Sequence, residues 1–184
     1  MAKDNDIKSF WKLINNKKNN TLYDRYKHND ALQEILNFIT LGGGSKLGCI
    51  SEQYAKYKFN ILQKRKKGDT NYDHIIEINN KLIKVEQKTS TNNGKKSKFL
   101  WQHISIRHDW NMLLLMAIDY TEVNFYGLTK KQFNKLLKDG KITNQGSKDN
   151  SSHQGYWFKF NNVKDDLITI NNNEDLIKFI KSNI

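Results

Sequence analysis

The sequence contains no proline and only one cysteine in 184 residues. With Cys49 alone, neither an intramolecular disulfide nor a zinc site of several cysteines can form, and a reducing compartment is expected. Long apolar runs are also missing. The longest, residues 112–118, is far shorter than the roughly 20 residues of a membrane-spanning helix, and the start MAKDNDIK lacks the apolar core of a signal peptide. We therefore expect a cytoplasmic protein with no membrane partner.

Acidic residues are scarce relative to basic ones. The chain has 19 Asp and Glu against 31 Lys and Arg, which gives a formal net charge of +12 at pH 7. Such a surplus favours a polyanionic partner, above all nucleic acid. An AT-rich coding sequence, which also enriches Lys, Asn and Ile, is an alternative source of part of this charge. Because the length suits one domain and no repeat or linker interrupts it, we expect residues 1–184 to form a single domain.

The periodicity of the apolar residues predicts an α/β fold with a mixed central sheet of about four to five strands, flanked by helices. Helices are expected within residues 5–40 and from residue 47 to about 61, followed by a β-hairpin of residues 72–78 and 82–88. Strands at residues 112–118 and 123–128 follow, then a helix that opens with a capping box at Thr129 and Gln132. In residues 140–184, we expect a polar loop, a strand at 156–160 and a helix that Asn173 caps.

The predicted hairpin carries the residues that suit catalysis. Asp73 opens its first strand, and Glu86 and Lys88 lie near the end of its second. Because side chains alternate along a strand, Glu86 and Lys88 face one side while Gln87 faces the other. The two carboxylates can hold Mg²⁺. The ammonium group can stabilise the negative charge that develops when a phosphodiester is hydrolysed. The alternative is that Glu86 and Lys88 form a solvated strand face and Asp73 a turn.

An Asp at a strand start, a hairpin turn and apolar residues running into Glu86-Gln87-Lys88 resemble the PD-(D/E)XK nuclease superfamily. Tyr72 stands where many members have proline. The resemblance implies a restriction-endonuclease-like core at about residues 47–128. It also implies that Asp73, Glu86 and the Gln87 carbonyl hold Mg²⁺, that Lys88 lies beside the attacking water, and that a helix glutamate completes the site. Glu52 is the best match for that glutamate, and Glu34 is a rival.

Two polar loops and the glycine-rich loop at residues 42–48 offer side chains that suit phosphate or base contacts. The residues predicted to contact DNA are Ser45, Lys46, Thr89, Ser90, Asn92, Asn93, Lys95, Lys96, Gln102, His103, Gln145 and Lys148. Plain connectors or solvated loops are the alternative at each place. Trp101 and Trp110 are expected to be packed, and Cys49 to be a small buried residue.

The resemblance implies a Mg²⁺-dependent endonuclease acting on double-stranded DNA, most similar to a compact type II restriction enzyme. Such a small chain leaves no room for a separate recognition domain, so loops would read the sequence, and cutting both strands suggests a homodimer. A structure-specific repair or junction nuclease is the first alternative. A non-catalytic basic module that binds nucleic acid is the second.

Overall fold

The computed structural model describes residues 21–41, 46–65, 67–145 and 155–184. Within these residues, the helices are α1 (Thr21–His28), α2 (Gln33–Leu41), α3 (Lys46–Lys58), α4 (Lys130–Lys138), α5 (Phe160–Val163) and α6 (Asn173–Asn183). The strands are β1 (Gln63–Lys64), β2 (His74–Ile78), β3 (Lys81–Thr91), β4 (Leu100–Ile104), β5 (Met112–Ile118), β6 (Val123–Thr129), β7 (Thr143–Asn144), β8 (Tyr156–Lys159) and β9 (Ile168–Thr169). A 3₁₀ turn, Lys164–Asp166, follows α5.

The strands form a mixed sheet of six, in the order β1-β2-β3-β5-β6-β9, and a small sheet of three, in the order β4-β8-β7. In the large sheet, β3 and β5 are parallel, and every other pair of neighbours is antiparallel. The predicted α/β class with a mixed sheet is therefore confirmed. The predicted four to five strands were too few, because β1 and β9 are edge strands of two residues each, which are too short to show a period.

The predicted hairpin is confirmed, and its turn has a local cause. Asn79 and Asn80 adopt positive φ angles of 51° and 60°, as a two-residue turn between antiparallel strands requires, and Asn tolerates that conformation better than most residues. The turn sets the register, in which His74 pairs with Val85. Strand β3 continues to Thr91, three residues beyond the predicted end at residue 88.

The large sheet has an apolar cluster on each face, and β5, between the two, is buried along its whole length. Met112, Leu114 and Met116 belong to the cluster that includes residues of α2, α3 and α6, which we call the helix face. Leu113 and Leu115 belong to the cluster that includes residues of β4, β8 and α4, which we call the small-sheet face. The helices and the second sheet thus cover opposite faces of the large sheet.

Other predicted elements need smaller corrections. The Thr129–Gln132 capping box is confirmed, but the cap of α6 is Asn172, whose side chain accepts a hydrogen bond from the Asp175 amide, and not Asn173. Helix α1 and the small sheet were not predicted as such, and the helical pattern within residues 5–20 lies outside the described residues. Cys49 is exposed rather than buried. Among the described helices, none has the length and apolarity to cross a bilayer.

Candidate active site

The end of the β2–β3 hairpin brings Asp73 and Glu86 to the same place. Asp73 directly precedes β2, and its amide donates a hydrogen bond of 2.9 Å to the carbonyl of Val85. In return, the Gln87 amide donates a hydrogen bond of 2.8 Å to Oδ2 of Asp73. The paired register ends with His74 opposite Val85, and these two bonds hold Asp73, just before β2, beside residues 85–87 of β3. The carboxylate of Asp73 is thereby held against strand β3.

Glu86 and Lys88 lie on the small-sheet face, next to Leu113 and Leu115 of β5. The Nζ of Lys88 is 2.6 Å from Oε1 of Glu86, and the Glu86 side chain is only 6% exposed. Burial is the main cause that raises the pKa of Glu86, and repulsion from Asp73 adds to it, while Lys88 lowers it. A nearby cation stabilises the charged form of a carboxylate that is buried in this way.

Glu52 on α3 belongs to the same electrostatic group. Partial burial is the first cause that raises its pKa, and repulsion from the carboxylates of Asp73 and Glu86 contributes. Glu34, the rival glutamate, lies exposed on α2. Of the two candidates, Glu52 is therefore the one whose charge acts on the hairpin carboxylates.

Two residues that the sequence did not single out support the site. Nη1 of Arg65 lies 3.8 Å from Oδ1 of Asp73 and donates a hydrogen bond of 3.1 Å to the carbonyl of Tyr72. On the helix face, Nε2 of His74 lies 2.8 Å from Oε1 of Gln87, and both residues are buried. Burial lowers the pKa of His74, which favours the neutral ring. No pattern in the sequence marks either contact, since each depends on how strands pair.

The donor atoms present suit Mg²⁺ better than a transition metal. Mg²⁺ binds through one or two carboxylates and keeps several waters, and Asp73, Glu86 and the Gln87 carbonyl would supply such a set. The described residues contain no group of three or more His, Cys, Asp or Glu placed to hold a metal ion. A Mg²⁺ ion at this place would take the two carboxylates, the Gln87 carbonyl and waters as ligands.

Two residues predicted to contact DNA are instead built into the fold. Ser90 is buried, and its Oγ accepts a hydrogen bond of 2.9 Å from the Leu100 amide, which ties β3 to β4. Asn92 is also buried, and its Nδ2 donates a hydrogen bond of 2.7 Å to Asp119. The sequence analysis placed Ser90 in an open loop because it ended β3 too early, and it placed Asn92 there because the contact with Asp119 comes from a distant part of the chain.

The other residues predicted to contact DNA differ in exposure. Lys46, Lys95, Lys96 and His103 are exposed; Thr89, Asn93, Gln102 and Gln145 are half-buried; Ser45 and Lys148 lie outside the described residues. His103 and Gln145 are brought together, since the His103 amide donates a hydrogen bond of 3.1 Å to Oε1 of Gln145. Trp101 and Trp110 are buried, as predicted.

His103, Arg107, His108 and Tyr156 help to line a cavity of about 410 Å³, and neither Asp73 nor Glu86 is among its lining residues. The charge of His108 lowers the pKa of Glu86, which places the two side chains within electrostatic range. Through His108, this cavity with basic lining residues is electrostatically linked to Glu86. Comparisons with known proteins add no relative to this picture, since no protein-family model and no curated protein matches the chain.

Proposed function

We propose that this protein is a Mg²⁺-dependent endonuclease that hydrolyses phosphodiester bonds of double-stranded DNA. The observation that carries the proposal is the meeting of Asp73, Glu86 and Lys88 at one end of the hairpin, in an otherwise basic chain. A buried carboxylate with a raised pKa, beside a second carboxylate and a lysine, is typical of a site that performs chemistry.

Each residue has a distinct part in the proposed reaction. Asp73, Glu86 and the Gln87 carbonyl would hold Mg²⁺, which when bound supplies charge neutralisation and a more acidic water. The ammonium group of Lys88 stabilises negative charge that develops on the phosphate in the transition state. Glu52 completes or positions the metal site, and Arg65 holds the Asp73 carboxylate in place.

Cleavage of both DNA strands at a defined sequence, by a homodimer, belongs to the same proposal. A chain of this size carries few elements beyond the catalytic sheet, so the exposed loop that contains Lys95 and Lys96 would contribute to sequence reading. Two-fold symmetry of a dimer would match a palindromic site. Sedimentation of the protein with and without a cleavable duplex tests the dimer.

The test of the activity is incubation of long duplex DNA with the purified protein in Mg²⁺ and in EDTA, alongside Glu86→Gln. We expect fragments that require both Mg²⁺ and Glu86. Glu77→Gln is the matched control, because Glu77 is exposed on the same hairpin, and it should cut normally. Intact linear DNA with cleavage of a branched junction would favour the structure-specific nuclease. Salt-dependent binding without cleavage of any substrate would favour the non-catalytic module.

A further inference from the structure

Helix α4 presents a row of lysines to solvent. Lys131, Lys135 and Lys138 are exposed, and their spacing of four and three residues places them on one side of the helix. Phe133 and Leu136, on the other side, are buried in the apolar cluster of the small-sheet face. The lysine row is therefore fixed in direction by the packing of the helix.

The lysines line a groove on the surface of the protein. The groove has a volume of about 870 Å³ and runs along α4 to Ser182 and Asn183 at the end of α6. In the part of the chain that the structure describes, no carboxylate forms an ion pair with Lys131, Lys135 or Lys138. Three like charges held on one helix without counter-charges favour an anionic ligand.

Helix α4, which forms one side of the groove, begins at the same end of the large sheet as the candidate active site and packs on the same face, whereas the other side of the groove is the end of α6, which packs on the helix face. Glu86 of β3 is in register with Leu113 of β5, which is in register with Leu128 of β6, so about 10 Å separates Glu86 from Leu128. Helix α4 begins two residues after Leu128.

A direct contact also joins the two regions. The Nζ of Lys130, the first residue of α4, donates a hydrogen bond of 2.6 Å to the carbonyl of His108 and lies 5.0 Å from the Trp110 ring centroid. His108 is the residue whose charge acts on Glu86. Basic groups thus continue from the catalytic carboxylates, past His108, to the lysine row.

We propose that the groove along α4 binds the phosphate backbone of the DNA duplex beside the cleavage site, without reading its sequence. This inference rests on the proposed function. Lys131 and Lys138 are seven residues apart, which is about 10 Å along a helix. The same length of duplex axis passes about three phosphates of one strand. Double-stranded DNA is therefore the anionic ligand that best fits the groove, because its evenly spaced phosphates match the spacing of the three lysines.

The test measures how DNA affinity depends on salt. In a Glu86→Gln background, which prevents cutting, Lys131, Lys135 and Lys138 are changed together to Gln, a residue with similar helix propensity. Affinity for a labelled duplex is measured by fluorescence anisotropy over a series of KCl concentrations. We expect the slope of log affinity against log salt to become shallower by about 0.9 for each lost phosphate contact, so by roughly 2.7 for three. The loss of affinity caused by the three substitutions should be equal for duplexes of unrelated sequence.

The matched control changes three exposed lysines away from the groove, Lys27, Lys81 and Lys164, to Gln and removes the same charge. An equal change of slope in both triple variants would overturn the proposal, because net charge alone would then explain it. An unchanged slope in the α4 variant would also overturn it. So would loss of binding to phosphatidylserine vesicles with DNA binding intact, which would assign the groove to a membrane surface.

Failure of this inference and failure of the nuclease can be told apart. If wild-type protein cuts DNA and the α4 variant keeps the wild-type slope, the groove proposal is wrong and the nuclease stands. If wild-type protein leaves every DNA substrate intact while the α4 variant alone shows the shallower slope, the groove proposal is confirmed and the nuclease is wrong. Thermal unfolding of both triple variants shows that each is folded.

Discussion

The two faces of strand β3 hold polar side chains in opposite ways. On the helix face, Gln87 is buried and meets the neutral ring of His74. On the small-sheet face, Glu86 is buried beside the ammonium group of Lys88, which is 23% exposed. A neutral hydrogen-bonded pair is inexpensive to bury, whereas a carboxylate is costly to bury unless it is paired. The helix face therefore holds a neutral polar contact, and the small-sheet face retains a buried charge, as the proposed reaction would require.

The strongest way to break this comparison is to remove the charge of Lys88. We expect Lys88→Ala to slow DNA cleavage by about 10² to 10³-fold, because charge developing on the phosphate loses its stabilising group. Binding of duplex DNA should persist. Single-turnover cleavage and anisotropy with the same duplex measure the two effects.

Lys81→Ala is the control for this prediction, since Lys81 is exposed at the other end of β3. It should cut at the wild-type rate. Wild-type cleavage by Lys88→Ala would remove Lys88 from the proposed mechanism. Loss of binding together with cleavage would assign it a role in affinity instead.

Substitutions of polar residues on the helix face should lower the free energy of unfolding rather than the rate of DNA cleavage. His74→Leu leaves the amide oxygen of Gln87 buried without this partner, which costs about 1–3 kcal/mol in the free energy of unfolding. The double variant with Gln87→Met replaces both polar groups by apolar ones and should recover much of that loss. Urea unfolding of the two single variants and the double variant measures the coupling.

The main-chain carbonyl of residue 87 remains in every variant of this set. At a temperature where all are folded, we therefore expect cleavage to fall far less than in Lys88→Ala. Nδ1 of His74 is buried without a hydrogen-bond partner among the described residues, so only the Nε2 contact with Gln87 is tested. A double variant less stable than the sum of both single losses would contradict the interpretation that this contact stabilises the fold.

Farther along the small-sheet face, Ser90 offers a smaller effect. Ser90→Ala removes the acceptor of the Leu100 amide hydrogen bond and should lower the free energy of unfolding by about 1 kcal/mol. Because Ser90 is buried, affinity for duplex DNA should not change. Urea unfolding and DNA anisotropy test both statements. A loss of affinity without loss of stability would return Ser90 to the residues that contact DNA.

The sequence was informative where neighbouring residues decide the structure. Asn79 and Asn80 marked the hairpin turn, the alternation of residues 85–88 separated Gln87 from Glu86, and the apolar run 112–118 marked the central strand. Each of these signals lies within one or two elements of the chain. The positions of Asp73 and Glu86 relative to each other followed from the hairpin alone.

Features that depend on distant pairing were not visible. The small sheet joins β4 to β8, which are far apart in sequence, and the register of β4 shifts between Trp101 and Ile104. No periodic signal spans such a shift. The partners of Ser90 and Asn92 come from other elements, so polar residues that looked like a loop became buried supports. His74 and Arg65 gained their roles in the same way.

The smallest effect concerns pH and asks whether burial of Glu86 destabilises the fold. Because burial and Asp73 raise the folded-state pKa of Glu86 above its ordinary 4.5, the native state binds a proton more tightly than the unfolded chain does. Stability from this group is therefore fully present below pH 4.5 and is lost as pH rises through the raised value. Lys88 and His108 oppose the shift, which limits its size.

In Glu86→Gln this loss is absent, so the variant's stability relative to wild type should increase as pH rises from 4 to 7. Urea unfolding at several pH values in that range measures the difference, with Glu77→Gln, on the exposed part of the same hairpin, as the control that should follow wild type. Added Mg²⁺ should narrow the difference by stabilising the wild-type carboxylate, and it should leave Glu86→Gln nearly unchanged. If the wild-type protein without metal is more stable at pH 7 than Glu86→Gln, the ion pair with Lys88 stabilises the Glu86 carboxylate by more than burial destabilises it. The contrast between the two faces of β3 would then disappear, because both polar pairs would stabilise the fold.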